Sequence, residues 1–203
     1  MKEAFLSRGF MNRILIILLL IITGCGVGFV IDLRDSDLRD SNNLVYNSGF
    51  ESGEYDYDAT PEDWIVLNKP LNRIFWDNGE SHNGEKCVKV KYPDSKIYLI
   101  SEAFSLNPQA VYHIRCFMKS EKSGSKPILL LFNAFDKNGK KVNTFSKKIY
   151  PQQNWNSLEL NTGFLKSSAK FGRISLIFPK SSKNVYWVDD IEAYFVHSFH
   201  KRK

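Results

Sequence analysis

From residue 44 to residue 196 the chain is punctuated by short apolar or alternating runs. They are Cys87–Val90, Lys96–Ile100, Val111–Met118, Ile128–Phe135, Ser157–Leu160, Arg173–Phe178 and Val185–Phe195. Turn-forming residues separate them: His82-Asn83-Gly84, Asn107-Pro108, Ser123-Gly124-Ser125, Lys137-Asn138-Gly139 and Pro179. Tyr112, Ile114, Cys116 and Met118 alternate with His113, Arg115, Phe117 and Lys119, the period-2 signature of a strand with one buried face. No window carries a long 3.6-residue apolar period, so no helix is predicted there. Asp136-Lys137-Asn138-Gly139 predicts a tight hairpin turn, because Asn-Gly tolerates positive φ. The pattern as a whole predicts one all-β domain, an antiparallel sandwich or barrel.

The first residues read differently. Lys2, Arg8 and Arg13 precede Ile14–Ile22, an unbroken apolar stretch. Its length suits an export signal and falls short of the roughly 20 residues that span a bilayer. Ile22-Thr23-Gly24-Cys25 follows and resembles the lipobox of bacterial lipoprotein precursors. That resemblance implies a signal peptide over residues 1–24, with Cys25 lipidated as the mature N-terminus. A second reading is an uncleaved anchor, since the chain stays uncharged as far as Ile31. Both readings export the body of the chain, because Arg8 and Arg13 lie before the apolar run and Asp32 and Asp35 after it. By analogy with lipoproteins of two-membrane bacteria, Gly26 is not the Asp that retains a lipoprotein in the inner membrane, so the outer membrane is expected where the cell has one. Residues 32–41 repeat Asp-Leu-Arg-Asp-Ser twice, a charge-alternating unit that cannot bury a core. Residues 25–43 are therefore expected to form a flexible tether, residues 44–196 the sandwich, and residues 197–203 a basic tail.

Composition changes this picture little. Aromatic residues reach 14%, which suits pleated, half-buried surfaces. The net charge of +6 is partly carried by Lys2, Arg8, Arg13 and the run Lys201-Arg202-Lys203. No stripe of interleaved basic and aromatic residues marks a nucleic-acid groove, so nucleic acid is not an expected partner. Membrane attachment through the N-terminal lipid is.

Within the sandwich an ordered series of motifs stands out. It runs Asn47-Ser48-Gly49-Phe50-Glu51-Ser52-Gly53, Pro61-Glu62-Asp63-Trp64, Ser81-His82-Asn83-Gly84-Glu85-Lys86 and Tyr112-His113-Ile114. It continues with Phe135-Asp136-Lys137-Asn138-Gly139-Lys140 and Trp155-Asn156-Ser157-Leu158, and closes on Tyr186-Trp187-Val188-Asp189-Asp190-Ile191. The series resembles carbohydrate-binding modules of the family 4/9 and 22 type, within the galactose-binding-like jelly-roll superfamily. The resemblance implies a structural calcium ion near the two chain ends, with Glu51 and Asp189 as carboxylate ligands beside backbone carbonyls. Strict alternation places Asp189 on the inward face with Ile191 and Ala193, and Asp190 on the opposite one.

Sugar recognition in such folds stacks an aromatic face on a pyranose ring, while amide, acid and guanidinium groups read its hydroxyls. Trp76 is the first candidate for the ring. Tyr98, Arg115, Phe117 and Asn133 sit on strands, facing away from the predicted core. Trp64 and Trp155 are expected in the core, and Trp187 packed. Cys116 is in phase with core residues and Cys87 is not, so two unpaired thiols are expected. The four histidines stand near no Ser or Cys in a nucleophile-and-base pattern, and no metal-ligand spacing such as His-x-x-x-His occurs. The expected function is non-catalytic binding of a poly- or oligosaccharide by a cell-envelope protein. The alternative is a protein–protein contact module in the envelope, on the same fold.

Overall fold

The structure is a computed structural model, and it describes residues 42–53, 60–68, 73–123, 126–181 and 183–198. Cys25, the export signal, the tether up to residue 41 and the basic residues 199–203 lie outside the described residues. Eleven strands are present among the described residues. They are β1 (Trp64–Leu67), β2 (Ile74–Asp77), β3 (Cys87–Lys91), β4 (Ile97–Ser101), β5 (Phe104–Ser105), β6 (Ala110–Ser120), β7 (Ile128–Phe135), β8 (Lys141–Ile149), β9 (Asn156–Asn161), β10 (Phe171–Phe178) and β11 (Val185–Ser198). They form a six-stranded sheet, ordered β1-β4-β10-β7-β8 with β5 beside β10, and a five-stranded sheet ordered β2-β3-β11-β6-β9. The pairings are antiparallel, as expected for a sandwich.

Alternation explains the core. Tyr112, Ile114, Cys116 and Met118 of β6 are buried in one cluster with Ile128, Leu130, Phe132 and Ala134 of β7 and Ile174, Leu176 and Phe178 of β10. Val88 and Val90 of β3 join them, with Tyr186, Val188, Ile191 and Ala193 of β11. Full burial of each large aliphatic or aromatic side chain contributes roughly 1.5–3 kcal/mol. Gly172 lies where the two sheets approach, and a Cβ there would sit 2.9 Å from the Phe104 ring.

Four strands were not visible as apolar runs, β5 (two residues) among them. β1 and β2 are four residues long. β8 is an edge strand with Lys141, Thr144, Ser146, Lys147 and Lys148 exposed, so its pairing with β7 leaves little hydrophobic trace.

β11 departs from a simple strand at two places. Its register with β6 shifts between Asp189 and Glu192 and again between Phe195 and His197. At the first shift Asp190 takes φ +44°. The first described residues run antiparallel beside β11. Leu44 N–H donates to Ala193 O at 2.9 Å, Asn43 Oδ1 accepts from Ala193 N–H at 3.0 Å, and Ile191 N–H donates to Ser48 O at 2.9 Å.

Candidate functional site

The bulge at Asp190 corrects the expectation from alternation. Asp189 stands opposite Phe117, whose side chain faces outward, yet it is fully buried beneath the loop 81–86. Its Oδ2 accepts backbone N–H groups of His82 (2.8 Å) and Asn83 (3.2 Å), and its Oδ1 accepts that of Asp190 (2.8 Å). Burial, with the Asp190 charge behind it, pushes the Asp189 carboxyl up to about 7 in spite of those donors. Asp190 Oδ2 meets His82 Nδ1 at 2.6 Å. Glu51 enters from the N-terminal segment, its Oε1 accepting from Glu85 N–H (3.0 Å) and Lys86 N–H (3.1 Å).

The Asp189 and Asp190 carboxylates meet at Gly49, beside the Glu51 side chain, whose own carboxylate reaches on to Gly84. A Cβ at Gly49 would lie 3.3 Å from Asp190 Oδ1, 3.9 Å from Asp189 Oδ1 and 3.8 Å from Glu51 Cγ. Adjacent strand residues would ordinarily diverge, and the bulge is what turns Asp189 and Asp190 toward the same place. No group of three or more His, Cys, Asp or Glu side chains is set to hold a metal ion among the described residues. A cation seated here would take backbone oxygens as well. The donor chemistry suits a hard ion in that every available group is an oxygen.

The expected sugar-contact residues do not form one site. Arg115 and Phe117 lie on the outer face of the five-stranded sheet, whereas Tyr98 and Asn133 lie on the outer face of the six-stranded sheet. The sandwich separates the two pairs.

The five-stranded face is covered by its own contacts. The His82 ring stacks on Phe117 at 3.8 Å, and Trp155 meets His82 edge-on at 5.8 Å. Arg115 Nε donates to Glu192 Oε2 at 2.7 Å, with both side chains mostly buried. Burial and Glu192 push the Tyr194 hydroxyl up to about 12. Lys119 pairs with Glu80 and lies over the Trp155 and Trp187 rings at 5.4 and 4.9 Å. Trp155 is thus half-buried under a lysine at the sheet surface, not in the core as expected. Trp187 is packed but also outward-facing, with Lys89 Nζ 5.4 Å from its ring centre.

Trp76 is not a stacking platform. It is 9% exposed within the core cluster, its indole N–H donates to Phe50 O at 2.6 Å, and its ring edge lies where a Cβ on Gly53 would be only 2.8 Å away. Pairing of Trp76 with Val88 turns it inward. Trp64 is buried as expected, tilted against Phe50 at 5.0 Å with its indole N–H on Asn47 O. The two thiols are unpaired and buried. Desolvation pushes the Cys116 thiol up to about 12 and that of Cys87 further still, so neither is a reactive nucleophile.

The outer face of the six-stranded sheet is laid out in rows across the strands. One row is Leu67, Tyr98, Ile177 and Leu129, and the next is Ile65, Ile100, Ser175 and Leu131. The third is polar, with Arg173 beside Asn133 and Asn133 beside Thr144. Arg173 Nη2 donates to Glu102 Oε2 at 3.3 Å, and Thr144 Oγ1 to Asn133 Oδ1 at 2.9 Å. Phe171 beside Phe135 completes the strip, with Phe171 42% exposed. Arg173, Glu102 and Thr144 were missed in the sequence, because only the register shows that they share a row with Asn133. The face pairs flat apolar surface with fixed donors and acceptors, as a pyranose ring requires.

No protein-family model matches the chain, and no curated protein matches it significantly. Solved structures do match it by fold. A family 61 carbohydrate-binding module in complex with β-1,4-galactotriose is 18% identical, covering 77% of this chain and 100% of that one with a TM-score of 0.52. The CBM22-1 xylan-binding domain of Paenibacillus barcinonensis Xyn10C is 16% identical, covering 78% and 97% with a TM-score of 0.50. A cyclase from Fischerella sp. TAU is 13% identical, covering 79% and 100% with a TM-score of 0.56. The chain therefore has the jelly-roll sandwich fold of carbohydrate-binding modules, on which binding proteins and enzymes are both built.

Proposed function

We propose that this chain is a non-catalytic carbohydrate-binding protein of the cell envelope, exported and held to a membrane through lipidated Cys25. It binds a poly- or oligosaccharide on the outer face of the six-stranded sheet. The observation that carries this reading is the juxtaposition of the Tyr98 row with the polar row of Arg173, Asn133 and Thr144. Tyr98 offers a ring to a sugar face, and the polar row reads hydroxyls along one side of it. Glu102 is held by Arg173 in an ion pair, as a positioning group is, whereas a general acid must be free to exchange its proton. The likeness in fold to modules solved with galactotriose and named for xylan favours a neutral β-linked polysaccharide as the first ligand class to try.

The test is a glycan-array and polysaccharide screen, followed by Tyr98→Ala and Arg173→Ala. Each is expected to weaken binding about tenfold, the equivalent of 1.4 kcal/mol, without moving the melting temperature by more than a few degrees. Unchanged affinity in both variants, with a glycan bound, moves the site off this face. Arg115→Ala is expected to leave affinity alone.

The aliphatic rows around Leu67, Ile65, Ile100, Ile177, Leu129 and Leu131 favour a second reading, contact with an envelope protein. An apolar sheet face is how such partners bury surface. A folded sample that binds no glycan but cross-links in cells through Leu67 selects it.

Calcium belongs to the same proposal. Glu51, Asp189 and backbone carbonyls would hold it, and it would offset the negative charge these carboxylates carry. Saturating calcium is expected to raise the melting temperature and a chelator to reverse the rise, by about 2.7 kcal/mol at a hundredfold excess over Kd. An unchanged melting temperature with no co-purifying metal removes calcium from the picture.

A further inference from the structure

One end of the sandwich is built from the loop 106–109, the β7–β8 hairpin, the loop 162–170 and the end of β11. The register brings them together. Ser198 pairs with Ala110, Leu165 N–H donates to Ala110 O, Leu106 N–H donates to Lys170 O, and Lys170 N–H donates to Phe135 O. Lys166 N–H donates to Asn143 Oδ1 at 2.9 Å, tying the long loop to β8.

The charge of this end is one-sided. Residues 106–111, 135–141, 162–170 and 195–198 contain Lys137, Lys140, Lys141, Lys166 and Lys170, all exposed, and a single carboxylate, Asp136. Asp136 is engaged inside its own hairpin, where Oδ1 accepts N–H of Asn138 (2.9 Å) and Lys140 (3.0 Å). None of the five lysines has an ion pair among the described residues. Phe164 and Phe195, 42% and 39% exposed, stand among them. Exposed phenyl rings beside unneutralised lysines are the composition of surfaces that sit at a headgroup layer.

The polarity of the N-terminal segment supplies the second observation. Leu44 pairs with Ala193 and Ser48 with Ile191, so the segment read backward from Leu44 runs in the same direction as β11 toward Ser198. The described ends of the chain, at Leu44 and at Ser198, therefore point toward the same, lysine-bearing end of the sandwich.

We infer that this end of the sandwich docks on a membrane surface bearing anionic lipid headgroups. The lysines contact phosphates, and Phe164 and Phe195 seat at the level of the glycerol backbone. Docked this way, the sandwich stands on its end, and the outer sheet faces remain accessible along its sides.

The test uses residues 34–203, a compact unit that contains all eleven strands and the core cluster and so carries what it needs to fold. It lacks the lipidation site, so the result does not depend on acylation. Its co-sedimentation is measured with extruded vesicles of phosphatidylcholine alone and with about one third phosphatidylglycerol. Binding to the anionic vesicles only, weakened at raised salt, is expected. The triple variant Lys137→Glu, Lys140→Glu, Lys166→Glu is expected to lose roughly tenfold or more of that affinity. Lys96→Glu, Lys122→Glu, Lys183→Glu at the opposite end is the control and is expected to retain it. Should the glutamate triple fail to fold, the three glutamine substitutions at the same positions take its place. No binding to anionic vesicles overturns the inference. So do equal losses in the two triples, which would mean overall charge and not this end, and binding to soluble polyphosphate without binding to vesicles, which would mean an acidic polymer.

Discussion

Trp76→Ala is expected to destabilise the sandwich by about 3–5 kcal/mol, the range for a large aromatic deleted from a core. Three losses combine. The indole leaves a cavity beside Phe50 and Val88, the Phe50 carbonyl loses its 2.6 Å donor, and the close packing against Gly53 disappears. The Phe50 residue adds to the cost, because it holds φ +60° and its position depends on that hydrogen bond. Trp76→Phe separates the terms by keeping most of the ring and removing only the donor, for about 1–3 kcal/mol. Urea denaturation checks both. The opposite pattern, an unchanged midpoint with lost glycan binding, would return Trp76 to the surface and undo its placement here.

Gly84→Ala is expected to cost about 2–3 kcal/mol, through two separable effects. Gly84 sits at φ +67°, where an alanine costs about 1–2 kcal/mol. Its Cβ would also lie 2.2 Å from Glu51 Oε1, so the carboxylate must swing away from the N–H groups of Glu85 and Lys86. Both bonds are solvent-exposed, so losing them adds only the net worth of ordinary hydrogen bonds, about 0.5–1.5 kcal/mol. A double-mutant cycle with Glu51→Ala, run in chelator, isolates the second effect. In the Glu51→Ala background Gly84→Ala should cost only its backbone strain, and a full-sized cost there would show that Glu51 does not hold this loop. The same cycle with calcium present reads the ion's contribution to the same carboxylate.

Much of this architecture is legible from side-chain period alone. The alternation at Tyr112–Lys119 placed β6 with the right residues inward, and the Asn138-Gly139 turn placed the β7–β8 hairpin, where Gly139 indeed holds φ +77°. What the period cannot show is an interruption of itself. The bulge at Asp190 lets two neighbouring carboxylates share a space that alternation would divide, and nothing in Val188-Asp189-Asp190-Ile191 announces it. Trp76 was misread for a related reason. Four residues are too few to reveal which face is buried, and only pairing with Val88 decides it. The proposed sugar face was half visible. Tyr98 and Asn133 face outward as expected, but Arg115 and Phe117 do too, on the other sheet. Strand order, a long-range property, determines which outward residues are neighbours.

β11 has a consequence for how the protein comes into being. It lies between β3 and β6, and these two strands are joined to one another only through it. It is also the last of the described strands along the chain, and the segment at Asn43–Ser48 closes on it too. Until residues beyond Val185 are available, half of the sandwich has no centre, and the opening segment has nothing to pair with. Contacts between the two ends of a chain form slowly, because the whole intervening loop must be closed first. Such a sandwich cannot close until β11 has been made, so its five-stranded sheet is completed only at the end of folding.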